Sequence, residues 1–178
     1  MAALDPTGEL CFQRHRPVLV GIAYQVLGSV FDADDVVQDA WLRWSDTDRG
    51  EVADPRAFLV TVTTRLAIDR LRRAKARRET YVGTWLPEPI ATDPDLAEDA
   101  ALAEHVDLAL LVVLEALSPV QRAVFVLREA FGLRYREIAE VVEREEATVR
   151  QIARRAREDV AARRARFETD RVRRREIT

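Results

Sequence analysis

Two stretches of helix-like apolar spacing lie on either side of residues 83–94, a segment that cannot form a continuous helix. Three prolines, Pro87, Pro89 and Pro94, fall within it, and proline lacks the backbone donor and clashes with the preceding turn. Elsewhere apolar residues recur three or four positions apart, and they almost never alternate with the period of two that a half-buried strand requires. The sequence therefore predicts an all-α protein of two small helical domains joined by a linker.

Composition excludes several classes of protein. A chain of 178 residues that is 48% hydrophobic is long and apolar enough to bury a core. It has no apolar run long enough to span a membrane and no signal peptide pattern at its start, so we expect a cytoplasmic protein with no membrane partner. Cys11, His15 and His105 are its only cysteine and histidines, and they offer neither a disulfide nor zinc-ligand spacing. With no Ser/His/Asp set and no glycine-rich phosphate loop, we expect no enzyme activity, catalytic residue, metal or cofactor.

The net charge of −3 hides a strong segregation of charge along the chain. Residues 29–56 hold 3 basic and 8 acidic residues, residues 57–83 hold 7 and 2, residues 84–117 hold 0 and 8, and residues 118–178 hold 16 and 11. All but one of the 28 basic residues are arginine, whose planar guanidinium suits phosphates and guanine edges. Basic and acidic blocks thus alternate, which favours different partners for different segments.

The second predicted helix carries an acidic row opposite an apolar stripe. Asp32 is its predicted N-cap, and the stripe consists of Val36, Val37, Ala40, Trp41 and Trp44. The opposite face is left with Asp35, Gln38, Asp39 and Leu42. Taken alone, this row is more simply a solvated face; the alternative is a docking surface for a basic partner helix.

The third predicted helix, from Pro55 to Arg78, is apolar almost all the way round, as suits a central helix. Cations gather toward its C-terminal end, where they also interact favourably with the helix dipole. So many like charges repel one another unless an anion is near, so a nucleic-acid face is favoured. The cations are Arg65, Arg70, Arg72, Arg73 and Lys75, followed by Arg77 and Arg78.

The C-terminal half has the pattern of a helix-turn-helix. Ser118 and Pro119 end one helix and cap the next, predicted over 120–129, and two further helices are predicted over 135–142 and 147–166. The last of these places an apolar stripe on one face and leaves a polar face outward. A major groove about 12 Å wide accepts one such helix. The outward residues are Arg150, Gln151, Arg154, Arg155 and Arg157.

At this point three stretches together resemble the extracytoplasmic-function sigma factors of bacterial RNA polymerase. They are Asp32 to Leu42 (DADDVVQDAWL), Leu66 to Arg73 (LAIDRLRR), and Leu117-Ser118-Pro119 through Tyr135-Arg136-Glu137-Ile138-Ala139 to Thr148-Val149-Arg150. The linker residues Trp85, Leu86, Pro87, Glu88 and Pro89 further resemble the subgroup of this family that carries a C-terminal SnoaL-like domain, and the printed chain ends at Thr178.

The resemblance implies an assignment of the whole chain. Residues 8–80 would form a sigma region-two-like domain, 81–100 a linker, 101–166 a region-four-like helix-turn-helix domain and 167–178 a C-terminal tail. The implied partners are core RNA polymerase, through its β′ and β subunits, and promoter DNA, with a SnoaL-like domain as a further possible partner of the linker residues.

The resemblance also implies roles for the singled-out residues. Asp35, Gln38, Asp39 and Leu42 would contact core polymerase. The −10 element would be bound by Arg65, Arg70, Arg72, Arg73 and Lys75 with the preceding loop. In the −35 element, Arg150, Gln151 and Arg154 would face bases and Arg155 and Arg157 would face phosphates.

Three positions depart from the family pattern. Arg65 stands where the family commonly has asparagine, and an arginine there favours phosphate over base. Glu143 stands at a turn position that is often glycine, and Glu145 replaces the usual serine N-cap. Because glutamate at positive φ is costly, a different turn geometry is expected.

Two other functions fit parts of the sequence. Residues 118–166 alone also resemble a dimeric helix-turn-helix repressor, but a repressor needs no second basic helix in an N-terminal half. A non-catalytic interaction protein that sequesters a transcription factor would use residues 108–114 as a docking stripe, although such a stripe is more often core.

Overall fold

The computed structural model describes residues 6–80 and 113–176, with side chains described for 8–48, 50–77 and 113–165. Within these ranges there is no strand, in agreement with the all-α prediction, and no helix there has the length and hydropathy to cross a membrane. Trp85, Leu86, Pro87, Glu88 and Pro89 lie outside the described residues, as does the 96–117 helix predicted after them, except for its last residues. The helices are α1 (Pro6–Leu27), α2 (Val30–Asp46), α3 (Pro55–Thr80), α4 (Pro119–Phe125), α5 (Tyr135–Val142) and α6 (Glu146–Glu176).

Helix α1 buries the face that its apolar spacing predicts. Leu19, Ile22, Ala23 and Val26 are completely inaccessible to solvent. The helix ends at Gly28, which has a φ of 73° and whose N–H donates to the carbonyl of Tyr24 at 2.7 Å. Glycine is needed at this turn because a Cβ is disfavoured at positive φ.

Helix α2 begins earlier than the sequence suggested. Its N-cap is Ser29 and not Asp32, and the Ser29 hydroxyl accepts a hydrogen bond from the backbone N–H of Asp32 at 3.2 Å. Serine and aspartate are both good caps, so the two candidates could not be separated by residue type. The predicted stripe is buried, apart from Trp41, which is only partly covered.

Helix α3 lies at the centre of the molecule and contacts α1 and α2 on one side and α4 and α5 on the other. Its buried residues nearly surround the axis, as the sequence predicts for a central helix. They are Leu59, Val60, Thr63, Thr64, Ala67, Ile68 and Leu71.

The C-terminal half folds as a helix-turn-helix. Ser118 and Gln121 form a capping box at the start of α4, and α4 continues through a π-helical turn, Val126–Ala130. Helix α5 has its predicted bounds. Glu143 caps its end with a φ of 53°, so the costly left-handed turn expected from the sequence is present. Helix α6 is longer than predicted and includes residues 167–176, which were assigned to a tail.

The two halves are joined by a continuous buried core. Phe131, just after α4, packs against Gly21 of α1, where an added Cβ would lie only 3.2 Å from the ring. Arg122 of α4 is fully buried; its Nε donates to the carbonyl of Gln25 at 3.1 Å and its Nη1 pairs with Glu115 at 2.9 Å. The helix-turn-helix is therefore packed against the N-terminal helices.

We predict that Trp44→Phe lowers the free energy of unfolding by about 1–3 kcal/mol. Trp44 is buried, and its indole N–H donates to the carbonyl of Gly8 at 2.9 Å; phenylalanine would leave that acceptor unpaired. Urea denaturation followed by circular dichroism measures the loss. Trp41→Phe, at a partly covered site, is the matched control, and an equal loss in both variants would contradict this account.

Candidate nucleic-acid and protein-binding surfaces

The outer face of α2 is only in part the acidic row expected from the sequence. Gln38 and Asp39 are exposed, and Leu42 is 54% exposed although it is a large apolar residue. Asp35 differs because its carboxylate is half-buried and accepts a hydrogen bond from Arg70 Nη2 at 2.7 Å. Three of the four predicted residues thus present their side chains outward, and the fourth is held by α3.

Arg70 joins α3 to α2. Its Nε donates to Asp32 at 2.7 Å, while its Nη2 reaches Asp35. Partial burial acts to lower the pKa of Arg70, but the hydrogen bonds and negative charges of Asp32 and Asp35 outweigh it, and the pKa is raised. Arg70, predicted to bind DNA, is therefore held in an ion-pair network between two helices.

Phe31 is an exposed aromatic residue that the sequence interpretation did not include. It is 73% exposed and lies four residues before Asp35 on the outer face of α2. Phe31 and Leu42 bracket the polar residues of this face, about 16 Å apart along the axis at 1.5 Å per residue. Its role was missed because the misplaced N-cap at Asp32 left Phe31 outside the helix.

The other predicted cations of α3 point in different directions. Arg65 and Lys75 donate to backbone carbonyls of the C-terminal half. Arg72 is exposed and pairs with Asp69 of the same helix at 3.1 Å, and Arg73 is exposed. Arg72 and Arg73 are therefore the members of this set that face solvent in this arrangement.

The outer face of α6 carries the predicted polar residues on the surface. Arg150, Gln151, Arg154, Arg155 and Arg157 are all exposed, opposite the buried stripe of Val149, Ala153, Ala156 and Val160. Arg150 pairs with Glu146, and Arg154 lies 3.6 Å from Glu158. Each pair lies within one helix turn on the surface, so each contributes little to stability.

Tyr135, at the start of α5, collects three guanidinium groups. Those of Arg128 and Arg150 lie over its ring at 4.6 and 4.8 Å from the centroid. Arg157 Nη2 donates to the tyrosine hydroxyl at 3.0 Å, and Arg157 Nε lies 3.7 Å from Glu129. Cation–π contacts at such distances are favourable. The tyrosine thus orients two of the residues predicted to contact DNA, which helical spacing within α6 could not reveal.

The sequence of this chain is similar to known sigma factors. Residues 11–77 match the Sigma-70 region 2 family and residues 107–160 match Sigma-70, region 4. The ECF RNA polymerase sigma factor SigJ of Mycobacterium tuberculosis is 49% identical over 154 residues, which cover 85% of this chain and 49% of SigJ. The ferric citrate uptake sigma factor FecI of Escherichia coli is 33% identical over 134 residues, which cover 75% of this chain and 76% of FecI.

A solved structure agrees with these matches. The crystal structure of M. tuberculosis SigJ aligns with a TM-score of 0.66 and 47% identity, over 84% of this chain and 51% of that one. The chain thus spans about half the length of SigJ.

We predict that Tyr135→Leu weakens binding to duplex DNA by about 1 kcal/mol, because Arg150 and Arg157 lose the contacts that orient them. The slope of affinity against salt should not change, since no charge is removed. Fluorescence anisotropy with a labelled duplex at several salt concentrations measures both quantities. Tyr135→Phe, which keeps the ring, should lose less; an unchanged affinity in Tyr135→Leu would remove the orienting role.

Proposed function

Because the chain belongs to the extracytoplasmic-function sigma factors, we propose that it binds core RNA polymerase and directs it to promoters through their −10 and −35 elements. The polymerase supplies the catalysis and this chain supplies the promoter selection. The observation that carries the proposal is that one chain presents an acidic and apolar face on α2 and a basic face on α6. A single protein can thereby engage a protein partner and DNA at once. Its place of action is then the cytoplasm.

The proposed domains follow from the sequence and are supported by the two matched ranges. Residues 8–80 are the region-two-like domain, 81–100 the linker, 101–166 the region-four-like domain and 167–178 the tail, of which residues 167–176 continue α6. Trp85, Leu86, Pro87, Glu88 and Pro89 are proposed to contact polymerase or a SnoaL-like domain.

We propose the outer face of α2 as the docking surface for core polymerase. Gln38, Asp39 and Leu42 contact it directly. Phe31 adds an aromatic anchor, which suits an interface because buried aromatic residues commonly dominate binding energy. Asp35 acts mainly as a positioning residue, since its carboxylate holds Arg70.

On the DNA side, α6 is proposed to enter the major groove of the −35 element. Arg150, Gln151 and Arg154 face bases, and Arg155 and Arg157 face phosphates. The −10 element is proposed to meet α3 through Arg72 and Arg73, with Arg65 and Lys75 joining when the two halves separate. Arg70 positions the surface from behind.

Run-off transcription tests the proposal. Core polymerase that lacks any sigma factor is mixed with this chain and a library of promoter fragments, and the transcripts are sequenced. The proposal expects initiation at a defined distance from a shared pair of sequence elements. Failure to direct initiation, together with dimeric binding to a palindrome without polymerase, would instead favour the repressor; tight binding to another transcription factor without initiation would favour the sequestering protein.

We predict that Phe31→Ala weakens binding to core polymerase by about 1–3 kcal/mol, as expected for an aromatic anchor at an interface. Its exposed ring contributes little to the fold, so the free energy of unfolding should change by less than about 0.5 kcal/mol. Biolayer interferometry with immobilised polymerase measures the affinity. Leu10→Ala is the matched control, because Leu10 is similarly exposed at 69% but lies on α1. Equal affinities for the two variants would exclude Phe31 from the interface.

We predict that Arg150→Ala and Arg154→Ala each weaken binding to a selected −35 duplex by about 1–3 kcal/mol relative to random DNA. Arg155→Ala should instead weaken both duplexes alike and reduce the salt slope by about one. Competition binding at two salt concentrations separates these effects. If all three variants lose equally on selected and random DNA, the division between base and phosphate contacts is incorrect.

A further inference from the structure

Arg65 of α3 binds the end of the first helix of the helix-turn-helix. Its Nε donates to the carbonyl of Val141 at 2.9 Å and its Nη2 donates to the carbonyl of Glu140 at 2.9 Å. Its Nη1 lies 3.1 Å from the carboxylate of Glu143. One guanidinium therefore makes three contacts with the other half of the molecule.

The end of α5 is chemically suited to hold a cation. The last four carbonyls of an α-helix have no donor within the helix, and the helix dipole places partial negative charge there. Glu143 adds a full negative charge at the same point. The guanidinium of Arg65 is planar with several donors, so it can satisfy neighbouring carbonyls and a carboxylate together.

A second contact joins the same two halves. Lys75, about two and a half turns further along α3, donates from Nζ to the carbonyls of Glu115 at 3.0 Å and Leu117 at 2.6 Å. Both Arg65 and Lys75 were predicted to bind the −10 element. In this arrangement their donors are directed at backbone carbonyls of the C-terminal half.

We propose that Arg65, the carbonyls of Glu140 and Val141, and the Glu143 carboxylate form a latch between the two halves, and that Arg65 reaches single-stranded DNA only when the latch is open. The DNA part rests on the proposed function; the latch itself does not. The guanidinium cannot contact the end of α5 and a DNA phosphate with the same donors. Closing the latch thus lowers the affinity of α3 for DNA.

The surroundings of the latch allow it to open. Arg65 is 41% exposed and Glu143 is 75% exposed, so solvent weakens their ion pair. A cleft of about 270 Å³ lies beside the latch, lined among others by Arg65, Arg72 and Arg144, with Asp69 and Glu143 as its acidic residues. A polyanion that enters this cleft can compete with Glu143 for Arg65.

Five variants of the full 178-residue chain test the latch. Arg65→Gln removes all three contacts, whereas Glu143→Gly removes the carboxylate and also the cost of a left-handed glutamate. The double variant tests whether the two residues act together. Arg72→Gln is the matched control for loss of a cation, because Arg72 pairs only within α3 among its recorded contacts. Glu145→Gln is the matched control for loss of an exposed carboxylate.

The first measurement is the radius of gyration from small-angle X-ray scattering, with circular dichroism to confirm that helicity is kept. We expect Glu143→Gly to be expanded and to melt no lower than the wild type, Arg65→Gln to be expanded further, and the double variant to equal Arg65→Gln. Both controls should be as compact as the wild type. The latch is overturned if Glu143→Gly and Arg65→Gln are as compact as their controls. If Arg65→Gln fails to fold, Glu143→Gly, at an exposed turn, decides alone.

The second measurement is affinity for a 12-nucleotide single-stranded DNA of random sequence. Glu143→Gly should bind about threefold more tightly than Glu145→Gln, because it frees Arg65 as well as removing a charge. Arg65→Gln should show no gain although it is expanded. Equal affinities for Glu143→Gly and Glu145→Gln would overturn the competition. Scattering needs neither polymerase nor promoter, so the latch and the proposed function can fail separately.

Discussion

Burial of α3 on all sides is the constraint on which the rest of this structure depends. A helix with apolar residues around most of its axis cannot be covered by two neighbours alone. Helices α1 and α2 cover part of it, and α4 and α5 of the C-terminal half contact the remainder. Val60 and Ile68 of α3 both lie beside Val141 of α5. Separation of the halves would expose this apolar surface, so the packed arrangement is favoured in the free chain.

The cations of α3 follow from this central position. Because its neighbours differ around the axis, Arg70 meets the carboxylates of α2, Arg65 and Lys75 meet the carbonyls of the other half, and Arg72 and Arg73 face solvent. A basic cluster that is continuous in sequence is thus divided among three environments. Only part of it faces outward for DNA until the halves separate, and this links domain packing to promoter binding.

Much of the fold follows from local sequence patterns. The bounds of α5, the buried stripes of α1 and α2 and the positive φ of Glu143 were all predicted, since helical periodicity and turn chemistry act over a few residues. The start of α2 was wrong because Ser29 and Asp32 are both suitable caps, and exposed Val30 and Phe31 show no burial pattern that would mark the first turn. The end of α6 was wrong because no glycine or proline ends its arginine-rich continuation.

The candidate surfaces divide in the same way. Exposure of Gln38, Asp39 and the outer residues of α6 could be predicted from one helix at a time. The contacts of Arg65 with Glu143 and of Tyr135 with three arginines join residues distant in sequence, and no periodicity within a helix specifies them.

Hydrogen–deuterium exchange of α3 and α5 tests the shared burial of α3 most directly. Backbone amides are followed by mass spectrometry in the free chain and in its complex with core polymerase and promoter DNA. The account predicts that the amides of α3 and of the last turn of α5 are protected in the free chain, and that the complex loses protection in the last turn of α5 while α2 and α3 keep theirs. Fast exchange in α5 of the free chain, or protection that is unchanged in a transcribing complex, would contradict it.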